Sequence, residues 1–230
     1  MANGILILGP SGSGKTTSLG KIPELEIEGL NPSETLIINV KGKPLPFKNW
    51  QNNYTKLDKD KGNHFISCNF TDIIKVLNII NTNRKDIKNI VVDDTQYLMS
   101  DYFMKKAFVK GFEKFTELAK YTYDVIDTGL GLRDDINFIV LSHSEETKDS
   151  YKAKTIGKML DEKITIEGLF TVVLYADQIY NENTNKIEKR FVTNFDGQYP
   201  AKSPIGMFND TYIKNDMGYV IKEIKKYYGN

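Results

Sequence analysis

The chain opens on a short apolar run, Ile5–Leu8, that passes directly into Gly9-Pro10-Ser11-Gly12-Ser13-Gly14-Lys15-Thr16-Thr17. No other feature restricts the fold so tightly. Gly9 through Thr16 match G-x-x-x-x-G-K-[ST] residue for residue, a pattern that works when a buried strand feeds the loop and a helix begins after it. Gly12 and Gly14 free the backbone to point successive N–H groups at phosphate oxygens. The helix N-terminus expected next adds the positive end of its dipole. Lys15 then reaches the β- and γ-phosphates, and the Thr16 hydroxyl supplies a ligand for Mg²⁺. Gly9–Thr17 is the expected cradle for ATP and Mg²⁺.

The matching half is Asn89-Ile-Val-Val-Asp93-Asp94-Thr95-Gln96. A hydrophobic strand that ends in a carboxylate holds Mg²⁺ through its water shell, and Asp93 fits that role. Asp94, one residue on, points elsewhere and is placed to orient or deprotonate an attacking water. Asp94 or Thr95 could equally cap the helix that begins near Tyr97. The next apolar run, Asn137–Ser142, ends in Ser142-His143, where a polar side chain beside the γ-phosphate could sense hydrolysis. His64 precedes an apolar strand and reads as structural.

Around these motifs the chain alternates. Runs at Ile5–Leu8, Thr35–Val40, His64–Cys68, Asn89–Asp93, Asn137–Ser142 and Phe170–Tyr175 suit strands buried on both faces. Between them, Thr71–Asn83 carries Ile73, Ile74, Leu77 and Ile80 at helical spacing, and Tyr97–Thr128 reads as helix broken once near Gly111. The alternation predicts an α/β fold with a mainly parallel sheet and helices on both faces. Past residue 177 the texture changes to a hairpin, Gln178–Tyr180 and Lys189–Thr193 around Asn-Glu-Asn-Thr-Asn, and a final helix around Asp216–Tyr228. We expect one domain, with an ATPase core over 1–177 and an extension over 178–230 packed on it.

Composition narrows the partners. With 31 basic and 30 acidic residues the net charge is +1, so any nucleic-acid contact needs a local patch. A single cysteine, Cys68, excludes an internal disulfide, suits a reducing cytosol and reads as a buried structural thiol. No apolar run approaches the roughly 18 residues of a membrane span, and the N-terminus lacks a basic signal region. A cytoplasmic protein with no membrane partner is expected. Only three arginines occur, Arg84, Arg133 and Arg190. Small nucleotide kinases, whose loop this one also resembles, neutralise two phosphorylated substrates with several arginines. Asp93 also lies 78 positions beyond Lys15, which leaves room for an extra strand between loop strand and acidic strand, as in hydrolytic ATPases. Arg133, before Asp134-Asp135, could make a structural ion pair.

Over most of its length the chain resembles the phage-encoded RecA-like ATPases of the AAA type, some of which anneal or recombine single strands. The resemblance rests on Gly9–Thr17, Ile37-Ile-Asn-Val-Lys-Gly-Lys-Pro-Leu-Pro-Phe47 and Val92-Asp-Asp-Thr-Gln-Tyr-Leu-Met99. It continues in Leu132-Arg-Asp-Asp135, Leu141-Ser-His143, Lys158-Met-Leu-Asp-Glu-Lys163, Phe195-Asp-Gly197, Pro200-Ala-Lys-Ser-Pro204 and Gly206-Met-Phe208. It implies a RecA-like P-loop NTPase fold with a C-terminal β-hairpin extension, Mg²⁺-dependent ATP hydrolysis, and the cytoplasm of a phage host. Single-stranded DNA, further copies in a ring or filament, and a single-strand-binding protein are the implied partners. In RecA-like recombinases a water-activating Glu follows the strand after the loop helix. Here that strand ends Asn39-Val40-Lys41-Gly42-Lys43, which moves the general base to Asp94, as in AAA+ proteins.

Such ATPases complete each site with a cation from a neighbour, carried on a C-terminal hairpin. By resemblance Arg190 or Lys202 is that finger, with a solvated strand charge the alternative for Arg190. Loops after the strand that ends at His143 face the DNA axis in RecA-like folds. Lys152, Lys154 and Lys158, with Tyr151, would track and stack a single strand there, or else simply face solvent. Lys105, Lys106, Lys110 and Lys114 repeat at helical spacing, most simply a solvated face. The alternatives to a DNA ATPase are a helicase loader or motor of the AAA+ kind and, behind them, a nucleotide kinase.

Overall fold

The computed structural model describes every residue except Asp60, Asn183, Thr184 and Asn230. The strands are β1 (Asn3–Gly9), β2 (Thr35–Asn39), β3 (His64–Ile66), β4 (Asn89–Asp93), β5 (Asn137–Glu146), β6 (Tyr151–Ala153), β7 (Val172–Asn181), β8 (Lys186–Val192) and β9 (Tyr212–Lys214). The α-helices are α1 (Trp50–Asn53), α2 (Phe70–Asn83), α3 (Gln96–Lys105), α4 (Glu113–Leu130) and α5 (Met217–Tyr228). Among the described residues the strands form one sheet in the order β3-β2-β4-β5-β1-β7-β8-β9, with β6 paired to the far end of β5. From β3 to β7 every pairing is parallel; β8 and β9 return antiparallel. β5 lies between β1 and β4, so the strand inserted between them comes from beyond Asp93, while the long spacing before Asp93 holds β2 and β3. The architecture is an α/β fold with a mainly parallel sheet and an antiparallel extension at one edge.

The central strands are apolar through their middles, Ile5–Leu8, Ile90–Val92 and Phe138–Leu141, because both faces are covered. Leu6, Leu8, Leu36, Ile38, Ile90, Val92, Phe138 and Val140 meet α2, α3 and α4 on one face. Ile5, Ile7, Ile37, Val91, Ile139 and Leu141 form the opposite core. Asn69 starts α2 by accepting from the amides of Thr71 and Asp72 at 2.9 and 3.3 Å. α4 comes so close to β5 that a Cβ on Gly129 would lie 2.2 Å from the Phe138 ring. Gly129→Ala gains helix propensity but overpacks this contact, so a net loss of about 1–2 kcal/mol is expected in urea unfolding.

The helix expected directly after the phosphate loop is not there. Thr17–Leu19 makes one 3-10 turn, and Gly20 ends it in extended conformation. Gly20 has no room for a side chain, since a Cβ would meet the Phe47 ring at 2.2 Å, and Pro23 follows. The sheet face such a helix would cover is taken by α5, whose Met217, Val220, Ile221 and Ile224 pack with Ile5, Ile7, Leu19 and Leu30. Asp216 ties the two ends of the chain together. It caps α5 through the Gly218 amide and also accepts from the amides of Glu28 (2.8 Å) and Gly29 (3.0 Å).

β5 and β7 run past their predicted ends, whereas β2 and β3 stop short of theirs. The hairpin forms, with Asn183 and Thr184 of its turn outside the described residues, and β7 runs unbroken across residue 177. β9 is an unforeseen third strand of the extension. The break near Gly111 separates α3 from α4, so Lys105, Lys106, Lys110 and Lys114 share no single helix face. Cys68 is half-buried rather than buried. His64 is structural: its Nε2 lies 3.3 Å from the Asn39 amide nitrogen, and its ring meets Trp50. Among the described residues no helix is long and apolar enough to cross a membrane.

Candidate nucleotide site

The C-terminal ends of β1, β4 and β5 bring the two motifs together. Gly12 and Gly14 adopt φ of 81° and 97°, a region that excludes most side chains. At Gly14 space forbids one as well, because a Cβ would lie 2.7 Å from Lys189 Cδ and 2.8 Å from Asn215 Oδ1. Lys15 is buried and donates to the carbonyls of Gly9 (2.7 Å) and Pro10 (2.8 Å), so the loop wraps its own lysine. Burial lowers the Lys15 pKa to about 8 against the opposing pull of Asp94 and Asp93.

Thr16 Oγ1 donates to Asp93 Oδ1 at 3.0 Å, joining residues 77 positions apart. Burial, and then the charge of Asp94, pushes Asp93 up to about 7, with the Thr16 bond and Lys15 working against the rise. A hydroxyl and a carboxylate side by side at the floor of the cleft are hard oxygen donors of the kind Mg²⁺ takes. The residues present fit that ion.

Asp94 carries the strain of the site. Its φ of 65° is left-handed and uncommon for a non-glycine residue. The turn aims its carboxylate away from Asp93, toward Lys43 Nζ at 2.7 Å and His143 Nε2 at 3.5 Å. Burial alone would raise its pKa; the hydrogen bonds from His143 and Lys43, with the Lys43 charge, outweigh it and hold the carboxyl at about 2. A carboxylate with so low a pKa takes up a proton poorly near neutral pH, but it can accept a hydrogen bond from a water and orient it. Thr95, not Asp94, is the first residue of the α3 turn, and its hydroxyl bonds Val92 rather than a helix amide.

His143 stands opposite Gly9 in the β1–β5 register and lines the cleft with Lys15, Thr16, Asp93 and Asp94; Ser142, buried beneath it, does not. Two lysines in the cleft escaped the sequence reading. Lys43 closes the segment after β2, pairs with Asp94 and lies 4.5 Å from the Tyr97 ring centroid. Lys189 leans its aliphatic stem over Gly14. For Lys189 a signal existed, since strand alternation sends neighbours in β8 to opposite faces. The residue beside the selected arginine was therefore as good a candidate.

The remaining candidates lie elsewhere. Arg190 is held within its own chain, donating to Asp177 through Nε (2.9 Å) and Nη2 (2.8 Å) and lying 3.8 Å over the Tyr212 ring. This replaces the solvated-charge alternative. Lys202 is exposed, pairs by its backbone with Val173 level with mid-β1, and is outside this cleft. Arg133 pairs with Asp135 at 2.6 Å and donates to the carbonyl of Ile80 at 3.1 Å, a structural role. Lys152 is bound to Asp161 and Glu145, whereas Lys154 and Lys158 are exposed. Tyr151 is not available to stack a base, because its ring packs against Tyr175 and Tyr199.

A phosphate loop closing β1, a Thr16–Asp93 pair across the cleft, and a strand inserted between their two strands define a P-loop NTPase. The chain belongs to the AAA domain family AAA_24, an AAA-type P-loop ATPase family that matches residues 1–205. Among solved structures it is similar to a KaiC-like protein of the hyperthermophilic archaeon Pyrococcus horikoshii. That match has 12% identity and a TM-score of 0.43, over 83% of this chain and 77% of that one. None of the curated proteins is significantly similar to it in sequence.

Proposed function

We propose that the protein hydrolyses ATP with Mg²⁺ and acts as an oligomer on single-stranded DNA in phage-type recombination or replication. The observation that carries the ATPase reading is the Thr16–Asp93 bond beside Lys15, with Asp94 held ionised by Lys43 and His143. Thr16 and Asp93 would hold Mg²⁺, which when bound neutralises phosphate charge and orients the γ-phosphate. Lys15 exchanges the Gly9 and Pro10 carbonyls for phosphate oxygens. Asp94 accepts from the attacking water, and Lys43 and His143 keep it ionised and aimed. Lys189 covers the phosphates from within the chain, and the exposed Lys202, or Arg190 once released from Asp177, would complete a neighbour's site. The test is ATPase rate with and without single-stranded DNA, alongside solution mass. Phosphate release stimulated by DNA in an oligomer supports the reading; a monomer with no hydrolysis refutes it.

The DNA surface in this proposal rests on the exposed Lys154 and Lys158 beyond β5, since Lys152 is already paired. Replacing both with alanine should flatten the salt dependence of single-strand binding. Each lost phosphate contact lowers the slope of log K against log salt by about 0.7. An unchanged slope in a fluorescence-anisotropy titration would move the DNA path elsewhere.

A loader or motor of the AAA+ kind is the second reading, because Asp94 directly follows Asp93 on one strand end. The kinase reading weakens further. Arg84 is engaged with Asp86 and the Gly62 carbonyl, Arg133 with helix-end carbonyls, and Arg190 with Asp177. No arginine lines the cleft among the described residues.

A further inference from the structure

One wall of the phosphate cleft is the segment after β2, where Lys43, Pro44 and Pro46 line it. That segment is fixed at several points. The chain turns at Gly42, with φ of 65°, and the buried Asn39 amide donates to the Lys43 carbonyl at 2.7 Å. Pro44 and Pro46 fix their own φ and hold the residues before them extended. Leu45, between the prolines, is buried in the core with Ile37 and Tyr54. The Lys43 backbone is therefore set before any ligand arrives, and only its side chain has to adjust. That side chain is 55% exposed, and its ammonium lies 2.7 Å from Asp94 Oδ2. An ammonium carries three N–H donors, and the bond to Asp94 uses one. Two donors remain, facing the cleft from a rigid wall.

The other lysines nearby are placed for different work. Lys15 lies within the loop on the Gly9 and Pro10 carbonyls, and Lys189 lies over Gly14. Lys41 is held by Asp101 at 3.0 Å and does not line the cleft. Among the described lysines only Lys43 bonds the carboxylate that orients the attacking water. That water must approach the terminal phosphorus. A cation bonded to Asp94 therefore stands at the end of the phosphate chain, where a nucleoside triphosphate has a group that a diphosphate lacks. We propose that Lys43 reads the terminal phosphate, giving its two spare N–H donors to γ-phosphate oxygens while the third stays on Asp94. The proposal rests on the phosphate-site reading above. It makes Lys43 the residue that sets the preference for triphosphate over diphosphate, from within the same chain and from outside the phosphate-loop motif. Charge-assisted bonds of this kind are strong enough to carry such a preference. With a diphosphate bound, Asp94 would remain the partner of Lys43, as it is here.

The test compares binding of Mg-ADP and of the Mg complex of a non-hydrolysable ATP analogue to the full chain by calorimetry. Wild type should favour the triphosphate by at least about tenfold. Lys43→Met should lose about tenfold for the triphosphate and leave ADP unchanged, whereas Lys43→Arg, which keeps the charge and its donors, should retain most of the preference. Asp94→Asn should keep the wild-type preference, which separates a direct phosphate contact from an effect passed through Asp94. Lys189→Met, over Gly14, should weaken both ligands alike. A wild type with no preference, a preference that survives Lys43→Met, or one lost equally in Asp94→Asn or Lys189→Met overturns the assignment while the phosphate site stands. Equal weakening of both ligands by Lys43→Met overturns it too. Failure of wild type to bind either ligand overturns the phosphate-site reading, and this proposal with it.

Discussion

Asp94→Asn should bind ATP as tightly as wild type and hydrolyse it about 10²–10³-fold more slowly, the range expected when a group aligned on the reacting water is lost. The side chain keeps its shape, so the left-handed turn after β4 survives. What disappears is the charge that Lys43 and His143 hold in place, at 2.7 and 3.5 Å. A uniform amide can still accept from Lys43, but it orients a water less strongly than a carboxylate does. Equilibrium binding of a fluorescent ATP analogue, measured beside phosphate release, separates the two effects. Equal turnover in variant and wild type would remove Asp94 from the reaction. Lys43→Met offers a companion measurement: it leaves Asp94 in place without its nearest partner and should slow hydrolysis less than Asp94→Asn.

Lys15→Ala should cost most of the nucleotide affinity, about 10²–10³-fold. The lysine would make two charge-assisted bonds to phosphate, each contributing about 1.5–3 kcal/mol. Part of that is offset by the bonds to Gly9 and Pro10 that must break first. Fold stability should change little, because a buried ammonium with a depressed pKa gains little from its own burial. A thermal melt with and without Mg-ATP distinguishes the cases. The variant should melt near wild type without ligand and lose the ligand-induced rise. A rise equal to wild type would show that Lys15 does not meet the phosphates.

The elements that depend on near neighbours were legible in the residues. β1, β4 and β5 are continuous apolar runs, Asn69 and Asp216 are local caps, and Gly12 and Gly14 occupy the positions of positive φ that the loop pattern requires. The Thr16–Asp93 pair was legible too, although it spans 77 positions, because each half belongs to a motif whose chemistry demands the other.

The tertiary structure decided what depends on meetings without such a motif. A helix start after Thr16 is compatible with the local residues until Gly20 is pressed against Phe47, and α5 arrives from the far end of the chain to cover the face left open. Asp94 found its partners Lys43 and His143, which lie 51 and 49 positions away, only through strand order. Lys189 and Arg190 are equivalent as adjacent letters; the antiparallel register of β7 and β8 sends Arg190 to Asp177 and leaves Lys189 over Gly14. Local propensity and motif spacing are carried by each segment alone, whereas a charge acquires its partner, and with it its pKa and its role, only once the sheet is assembled.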